Sequence, residues 1–249
     1  MYKKLLLGTI LFVSSISAST INIAVAANVS YAIDDLKKEF NKIYPNTKVN
    51  VTLGSSGKLT AQIKHGAPYD LFMSANMKYP NSLYKDKVAL TKPIIYTQGG
   101  LALLSNNQRS FKHGIKLLKS KLVKRVAIAN PKTAPYGKAT MEAFKKSDIY
   151  DEIKDKIIYG ESISQTVSYA IMAADIGIIA KSSLYSPKMK KFIKNVHWID
   201  VDPKLYTPIN QGVVILKYSK NSSETKAFYE FILSNKAKEI FKKYGYLIP

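Results

Sequence analysis

Short apolar runs rich in β-branched residues alternate with segments whose apolar residues recur every three or four positions, along nearly the whole chain. Thr20 to Ala27 is the first such run and suits a buried strand; Ile33, Leu36, Phe40 and Ile43 follow at helical spacing. Pro45 stops that helix. Val49 to Leu53 predicts the next strand, and Leu59 with Ile63 a helix that Gly66 ends. Asp70 to Ala75 is a third strand, ahead of a polar helical stretch around Ser82 to Asp86. The pattern resumes with strands at Arg125 to Ala129, Lys156 to Tyr159 and Ile176 to Ala180, and helices at Ala139 to Phe144 and Val167 to Ala174. Two amphipathic helical pieces, Thr225 to Leu233 and Ala237 to Tyr244, close the chain. Such alternation predicts an α/β fold of mainly parallel sheets flanked by helices.

Two segments break the rhythm. Pro93 to Ser105 and Tyr206 to Leu216 are extended and carry glycines in mid-run, a sign of bends or close backbone approach. They read as two hinge crossovers between lobes, although two ordinary strands of a single sheet would fit the pattern nearly as well. A chain of 249 residues has room for two lobes of about 100 residues each. The expected division places one lobe at 20–95 plus 210–249 and the other at 96–209.

The N-terminal 1–19 segment reads as an export signal. Lys3 and Lys4 precede the apolar run Leu5 to Val13, and small residues follow from Ser14 to Ser19, with cleavage expected near Ala18. A periplasmic location follows as an expectation. The chain has no cysteine, which removes thiolate nucleophiles, zinc-thiolate clusters and a lipid-accepting residue. A free, monomeric periplasmic protein is therefore expected. The net charge of +21 raises the question of nucleic acid. Its lysines, however, are scattered (Lys37, Lys64, Lys124, Lys190, Lys243) with no block or stripe, which is the habit of a solvated surface and argues against nucleic acid.

Several loops share one grammar: a strand, a short small or polar loop, then a helix start. They are Ala26 to Ser30, Gly54 to Gly57 (GSSG), Gly160 to Gln165 (GESISQ) and Asn130 to Gly137 (NPKTAPYG). In open α/β sheets ligands sit beyond the carboxyl ends of the strands, where such loops gather. Each helix start offers unpaired N–H groups and a partial positive charge, so converging starts make an anion site without a lysine or arginine. Ser55 and Ser56 add hydroxyls, Gly54 and Gly57 permit close approach, and Ser162 with Gln165 forms a capping box. Taken one at a time, each of these residues is explained by capping alone; the functional reading rests on their joint occurrence.

Enzymatic constellations are poor. His65, His113 and His197 share no metal-ligand spacing, and no Gly-x-Ser-x-Gly elbow occurs. Asp34 and Asp35 adjoin Lys37 and Lys38 on a helix, as a solvated face would. An exported serine-dependent hydrolase remains the rival reading.

Ala26-Ala27-Asn28-Val29-Ser30-Tyr31-Ala32, Gly54-Ser55-Ser56-Gly57-Lys58-Leu59 and Gly66-Ala67-Pro68-Tyr69-Asp70-Leu71-Phe72-Met73-Ser74-Ala75 together resemble the periplasmic molybdate-binding proteins. Asn130-Pro131, Ala134-Pro135-Tyr136-Gly137, Ile176-Gly177-Ile178 and Glu239 to Gly245 extend the likeness over essentially the whole mature chain. The resemblance implies a two-lobed type II periplasmic-binding fold that closes on molybdate or tungstate and delivers it to the permease subunits of an ABC importer with a cytoplasmic ATPase. It implies no enzyme activity, no cofactor and no directly coordinated metal, since the metal arrives as an oxyanion; another oxyanion such as sulfate is the alternative ligand. By the same resemblance the oxyanion-binding residues are Asn28, Ser56, Tyr136 and Ile163, with Ser55 and Lys181 as weaker candidates. Asn28 would offer a backbone and a side-chain N–H, and Tyr136 and Ile163 backbone donors. The family's tyrosine hydroxyl falls at Ala180, where no hydroxyl exists, so the fifth contact differs here.

Overall fold

The computed structural model describes residues 19–219 and 222–249. The segment read as an export signal lies outside them, except for Ser19, which opens the first strand.

The first sheet is built around β1 (Ser19–Ala26), which pairs in parallel with β2 (Thr47–Gly54) from Ser19 opposite Thr47 to Ala26 opposite Gly54. Between them α1 (Ile33–Ile43) buries Ile33, Leu36 and Phe40, the face its spacing predicts. Asp34 and Asp35 in its first turn and Lys42 in its last complement the helix dipole. Next, α2 (Ser56–Lys64) leads to β3 (Leu71–Ser74), parallel to β1, and α3 (Lys78–Lys85) leads to β4 (Ile94–Gly99).

The chain then changes sheet. β5 (Leu101–Leu104), β6 (Val126–Ala129), β7 (Ile157–Gly160), β8 (Ile176–Ala180) and β9 (Trp198–Asp200) form the second sheet. Its helices are α4 (Pro135–Lys146), α5 (Tyr150–Ile153) and α6 (Ile163–Met172). β10 (Ile209–Ile215) returns to the first sheet, and α7 (Ser223–Leu233) and α8 (Asn235–Lys243) pack back on that lobe.

The strand orders are β2-β1-β3-β10-β4 and β7-β6-β8-β5-β9, so one layout occurs twice. Three parallel strands, the earliest of them central, are followed by two that alternate in direction. The sheets are thus mixed, where the sequence pattern predicted mainly parallel ones. A parallel neighbour needs a crossover helix over its own sheet; β5 and β10 arrive directly from the other lobe and run antiparallel. The passage between sheets falls at Gly99 and Gly100, whereas the expected boundary lay between residues 95 and 96.

Each lobe has its own core. In the first, Phe40 meets Phe228 edge-on at 5.0 Å and Phe231 at 5.6 Å, tying α1 to α7; truncating such a ring costs about 3–5 kcal/mol. The second centres on the strands β6 and β8 with Tyr136, Ala143 and Phe144 of α4. Among the described residues no helix is long and apolar enough to cross a membrane.

Candidate functional site

The carboxyl ends of β1, β2 and β3 in one lobe and of β6 and β7 in the other point their following loops at a common cleft. The cavity there is lined by Ala26, Ala27, Asn28, Gly54, Ser55, Ser56 and Ala75 from the first lobe and by Ala134, Pro135, Tyr136 and Ile163 from the second. Asn28, Ser56, Tyr136, Ile163 and Ser55, read separately along the sequence, are therefore brought together. The cavity is about 10 Å³. That is room for about one water-sized group with the lobes closed, far below the roughly 300–1,000 Å³ of pockets for drug-sized ligands. Its lining carries no charged side chain.

The donors come from local folding. Ser56 opens α2, and its Oγ accepts the Ala75 N–H at 2.9 Å, which leaves the hydroxyl proton free to point elsewhere. Ser55 Oγ is buried with no partner in the protein. Tyr136 and Ile163 lie in the first turns of α4 and α6, where N–H groups have no acceptor within the helix and the dipole favours negative charge. The start of α6 is fixed by Ser162 Oγ, which accepts from Gln165 N at 3.2 Å, while Gln165 Oε1 accepts from Glu161 N at 2.6 Å. The expected capping box is present, its return bond made one residue earlier than the usual pattern.

Asn28 differs from expectation. Its Nδ2 donates to Gln211 Oε1 at 2.8 Å and to Tyr246 Oη at 3.1 Å, so both side-chain hydrogens are spent inside the protein. The peptide oxygen of Asn28 accepts from Tyr246 Oη at 2.8 Å and Ser182 Oγ at 3.2 Å. Gln211 also accepts from Tyr96 Oη and donates to Tyr136 Oη. Burial pushes the Tyr96, Tyr136 and Tyr246 hydroxyls well above the ordinary tyrosine range, so all are protonated donors at neutral pH. Sequence reading missed this buried layer; its one signal was the polar pair Asn210 and Gln211 inside the otherwise apolar run of β10.

Lys181 is not at the cavity. Its ammonium pairs with Asp200 at 2.7 Å, and Lys194 holds the other oxygen at 2.8 Å. Burial raises the Asp200 carboxyl, but the hydrogen bonds from Lys181 and Lys194 outweigh it and hold the group below the usual range. Lys181 borders a different cavity of about 330 Å³ at the crossovers, and a third of about 300 Å³ lies along the seam beside Glu142. Both are larger than the cavity at the helix starts, and each mixes charges in its wall, Lys181 with Asp200 in the one and Lys78 and Lys138 with Glu142 in the other. Ala180 is buried at the end of β8 opposite Leu101, and none of residues 180–183 lines the cavity. The serine that follows, Ser182, turns its hydroxyl to the Asn28 peptide instead.

The lobes are closed on one another. Gly57 N donates to Thr133 O at 2.9 Å, Ser164 Oγ to Ala27 O at 2.7 Å, and Lys58 pairs with Glu161 at 2.8 Å. Of the histidines, His65 caps α2, His113 precedes a 3₁₀ turn and His197 accepts from Ile193 N; none borders the cavity. Ser55 and Ser56 thus have no imidazole base beside them. Among the described residues no cluster of three or more His, Asp or Glu could hold a metal ion.

Two lobes of repeated topology, joined by paired crossovers and closed over a small polar cavity without acid–base machinery, define a solute-binding protein. A family model for bacterial extracellular solute-binding proteins matches residues 21–247, and the chain belongs to that family. It is 32% identical over 242 residues to the molybdate-binding protein ModA of Azotobacter vinelandii, covering 96% of this chain and 94% of that one. It is likewise 32% identical over 233 residues to ModA of Rhodobacter capsulatus, covering 93% and 89%. The solved Azotobacter vinelandii periplasmic molybdate-binding protein superposes with a TM-score of 0.85 at 28% identity, over 92% of this chain and 99% of that one. These relatives are binding proteins and not enzymes, and this chain stands with them rather than with the hydrolases.

Proposed function

We propose that this protein captures a tetrahedral dianion, molybdate or tungstate, between its lobes and presents it to the permease of an ABC importer. The observation that carries the reading is the cavity itself. It is about 10 Å³, sits where three helix starts meet, and has two serine hydroxyls in its wall with no charged side chain. A buried dianion is costly to desolvate unless each oxygen is hydrogen-bonded. Hydroxyls and first-turn N–H groups supply such charge-assisted bonds without a counter-ion. Asn28 N, Ser55, Ser56, Tyr136 N and Ile163 N are the donors assigned to the ligand. Because neutral donors of this kind suit any tetrahedral dianion, discrimination against sulfate falls to the space the lobes leave when they close on the ligand. The names of the relatives support molybdate as the ligand class.

Ligand that binds only the folded state raises the unfolding temperature, by an increment that grows with ligand concentration over Kd. Molybdate or tungstate in the millimolar range is expected to raise it by several degrees, and chloride at equal ionic strength to leave it unchanged. An equal response to both would count against the reading.

A further inference from the structure

Gln211 joins the two halves of the site. It is fully buried in β10, where the register against β4 shifts between Gln211 and Gly212. Its Oε1 accepts from Asn28 Nδ2 at 2.8 Å and from Tyr96 Oη at 2.9 Å, and its Nε2 donates to Tyr136 Oη at 3.1 Å. One side chain is thereby bonded to the first loop of one lobe and to the α4 start of the other.

The consequence falls on Asn28. A carboxamide has a donor end and an acceptor end. With Nδ2 committed to Gln211 and Tyr246, the remaining end is Oδ1, which is buried and has no partner in the protein. A carbonyl oxygen is the wrong end to offer an anion, since its lone pairs repel one. Turning Asn28 alone would set its Oδ1 against Gln211 Oε1, acceptor to acceptor. Turning both amides together keeps the bond between them: Gln211 Nε2 donates to Asn28 Oδ1, Gln211 Oε1 accepts from Tyr136 Oη, and Asn28 Nδ2 is released as a donor. Tyr136 can serve in either state, because its oxygen accepts in the first and its hydrogen donates in the second. The first arrangement leaves the Tyr136 hydrogen unused and the second the Tyr96 hydrogen. The second also gives up the Asn28 Nδ2 bond to Tyr246, whose hydrogen must choose between Asn28 Oδ1 and the Asn28 peptide oxygen, so it is reached when an anion accepts from the released Nδ2.

We propose that Gln211 is a positioning residue for oxyanion capture, turning over in concert with Asn28 so that the donor offered to the anion and the bond to the opposite lobe are set together. This rests on the oxyanion reading of the cavity.

The test is a tungstate titration of uniformly ¹⁵N-labelled protein that follows the side-chain amide signals of Asn28 and Gln211, assigned by their disappearance in Asn28→Ser and Gln211→Met. Both pairs are expected to shift together as the site fills. In Gln211→Glu the side chain keeps only acceptors, so the Asn28 pair is expected to stay where it is in the free protein. Gln211→Met is expected to bind tungstate about tenfold or more weakly. Tight tungstate binding by the unaltered protein with both amide pairs unmoved would overturn the inference and leave the cavity reading intact, as would a folded Gln211→Met of unchanged affinity. Failure of the unaltered protein to bind either tungstate or molybdate would overturn the cavity reading first. Should Gln211→Met not fold, Gln211→Glu supplies the assignment and the amide shifts of the unaltered protein decide the matter.

Discussion

The backbone N–H of Gly57 donates to the carbonyl of Thr133 across the cleft at 2.9 Å. A Cβ on Gly57 would lie 2.9 Å from that same oxygen and 2.7 Å from Tyr79 Oη, closer than real Cβ contacts come. The glycine that sequence reading assigned to ligand approach therefore serves the approach of one lobe to the other. Gly54, its neighbour in the same loop, is the one that borders the cavity.

Gly57→Ala should therefore penalise the closed state while leaving each lobe intact. Overpacking of this kind costs about 1–3 kcal/mol, which corresponds to a roughly tenfold to hundredfold loss of anion affinity. Calorimetric titration reads the loss, and circular dichroism should show an unfolding temperature within a few degrees of the unaltered protein. Undiminished affinity would mean that closure does not depend on this contact.

The two serines should separate. Ser56 Oγ accepts from the buried Ala75 N–H, so Ser56→Ala strands a backbone donor at a cost of about 1–3 kcal/mol and removes a ligand donor as well. Ser55 Oγ has no protein partner, so Ser55→Ala should weaken anion binding without lowering the stability of the free protein. Melting curves and titrations of the pair check this; equal loss of stability in both would contradict it.

Lys181 is held by Asp200 beside another cavity. Lys181→Met should change anion affinity by less than about threefold, because a partly exposed charge outside the cavity is screened. A tenfold loss would place Lys181 in the ligand shell after all.

Acid should act through paired carboxylates. Asp35 is held below its ordinary range by Lys243 and Tyr244; burial raises Asp175, but the Arg125 and Lys124 N–H groups and the Arg109 charge together outweigh it and hold the group below its range. Asp200 is depressed as described. A depressed folded-state value means stability present above the unfolded value, about 3.9, and lost as pH falls through the folded one. Asp70 runs the other way, raised by burial against the Asn22 N–H, and gains stability as it protonates. The unfolding temperature should hold steady from pH 7 to about 5 and fall below about 4. An early decline between pH 7 and 5 would show that these carboxylates do not govern it.

The architecture was legible because periodicity is local: Ile33, Leu36 and Phe40 announce α1, and the β-branched run before them announces β1. The cavity residues were legible because helix starts carry their own chemistry, as Ser162 and Gln165 show. Sheet direction was not, since whether β5 and β10 enter from their own lobe or the other is a property of the whole path. Nor was the layer of Tyr96, Tyr136, Gln211 and Tyr246, whose members lie far apart in sequence; three belong to the first lobe, and Tyr136 joins them from the other only when the lobes close. Asn28 shows the limit most plainly: its residue type promised a side-chain donor, but the partner at Gln211 decides which end of the amide is free.

The central claim is that the cavity selects a large tetrahedral dianion. Calorimetric titration of residues 19–249 with molybdate, tungstate, sulfate and phosphate at constant ionic strength tests it most directly. Molybdate and tungstate should bind at one site per chain, and sulfate and phosphate at least about a hundredfold more weakly, a gap of about 2.7 kcal/mol. Sulfate binding as tightly as molybdate, or no measurable heat from any of the four, would contradict it.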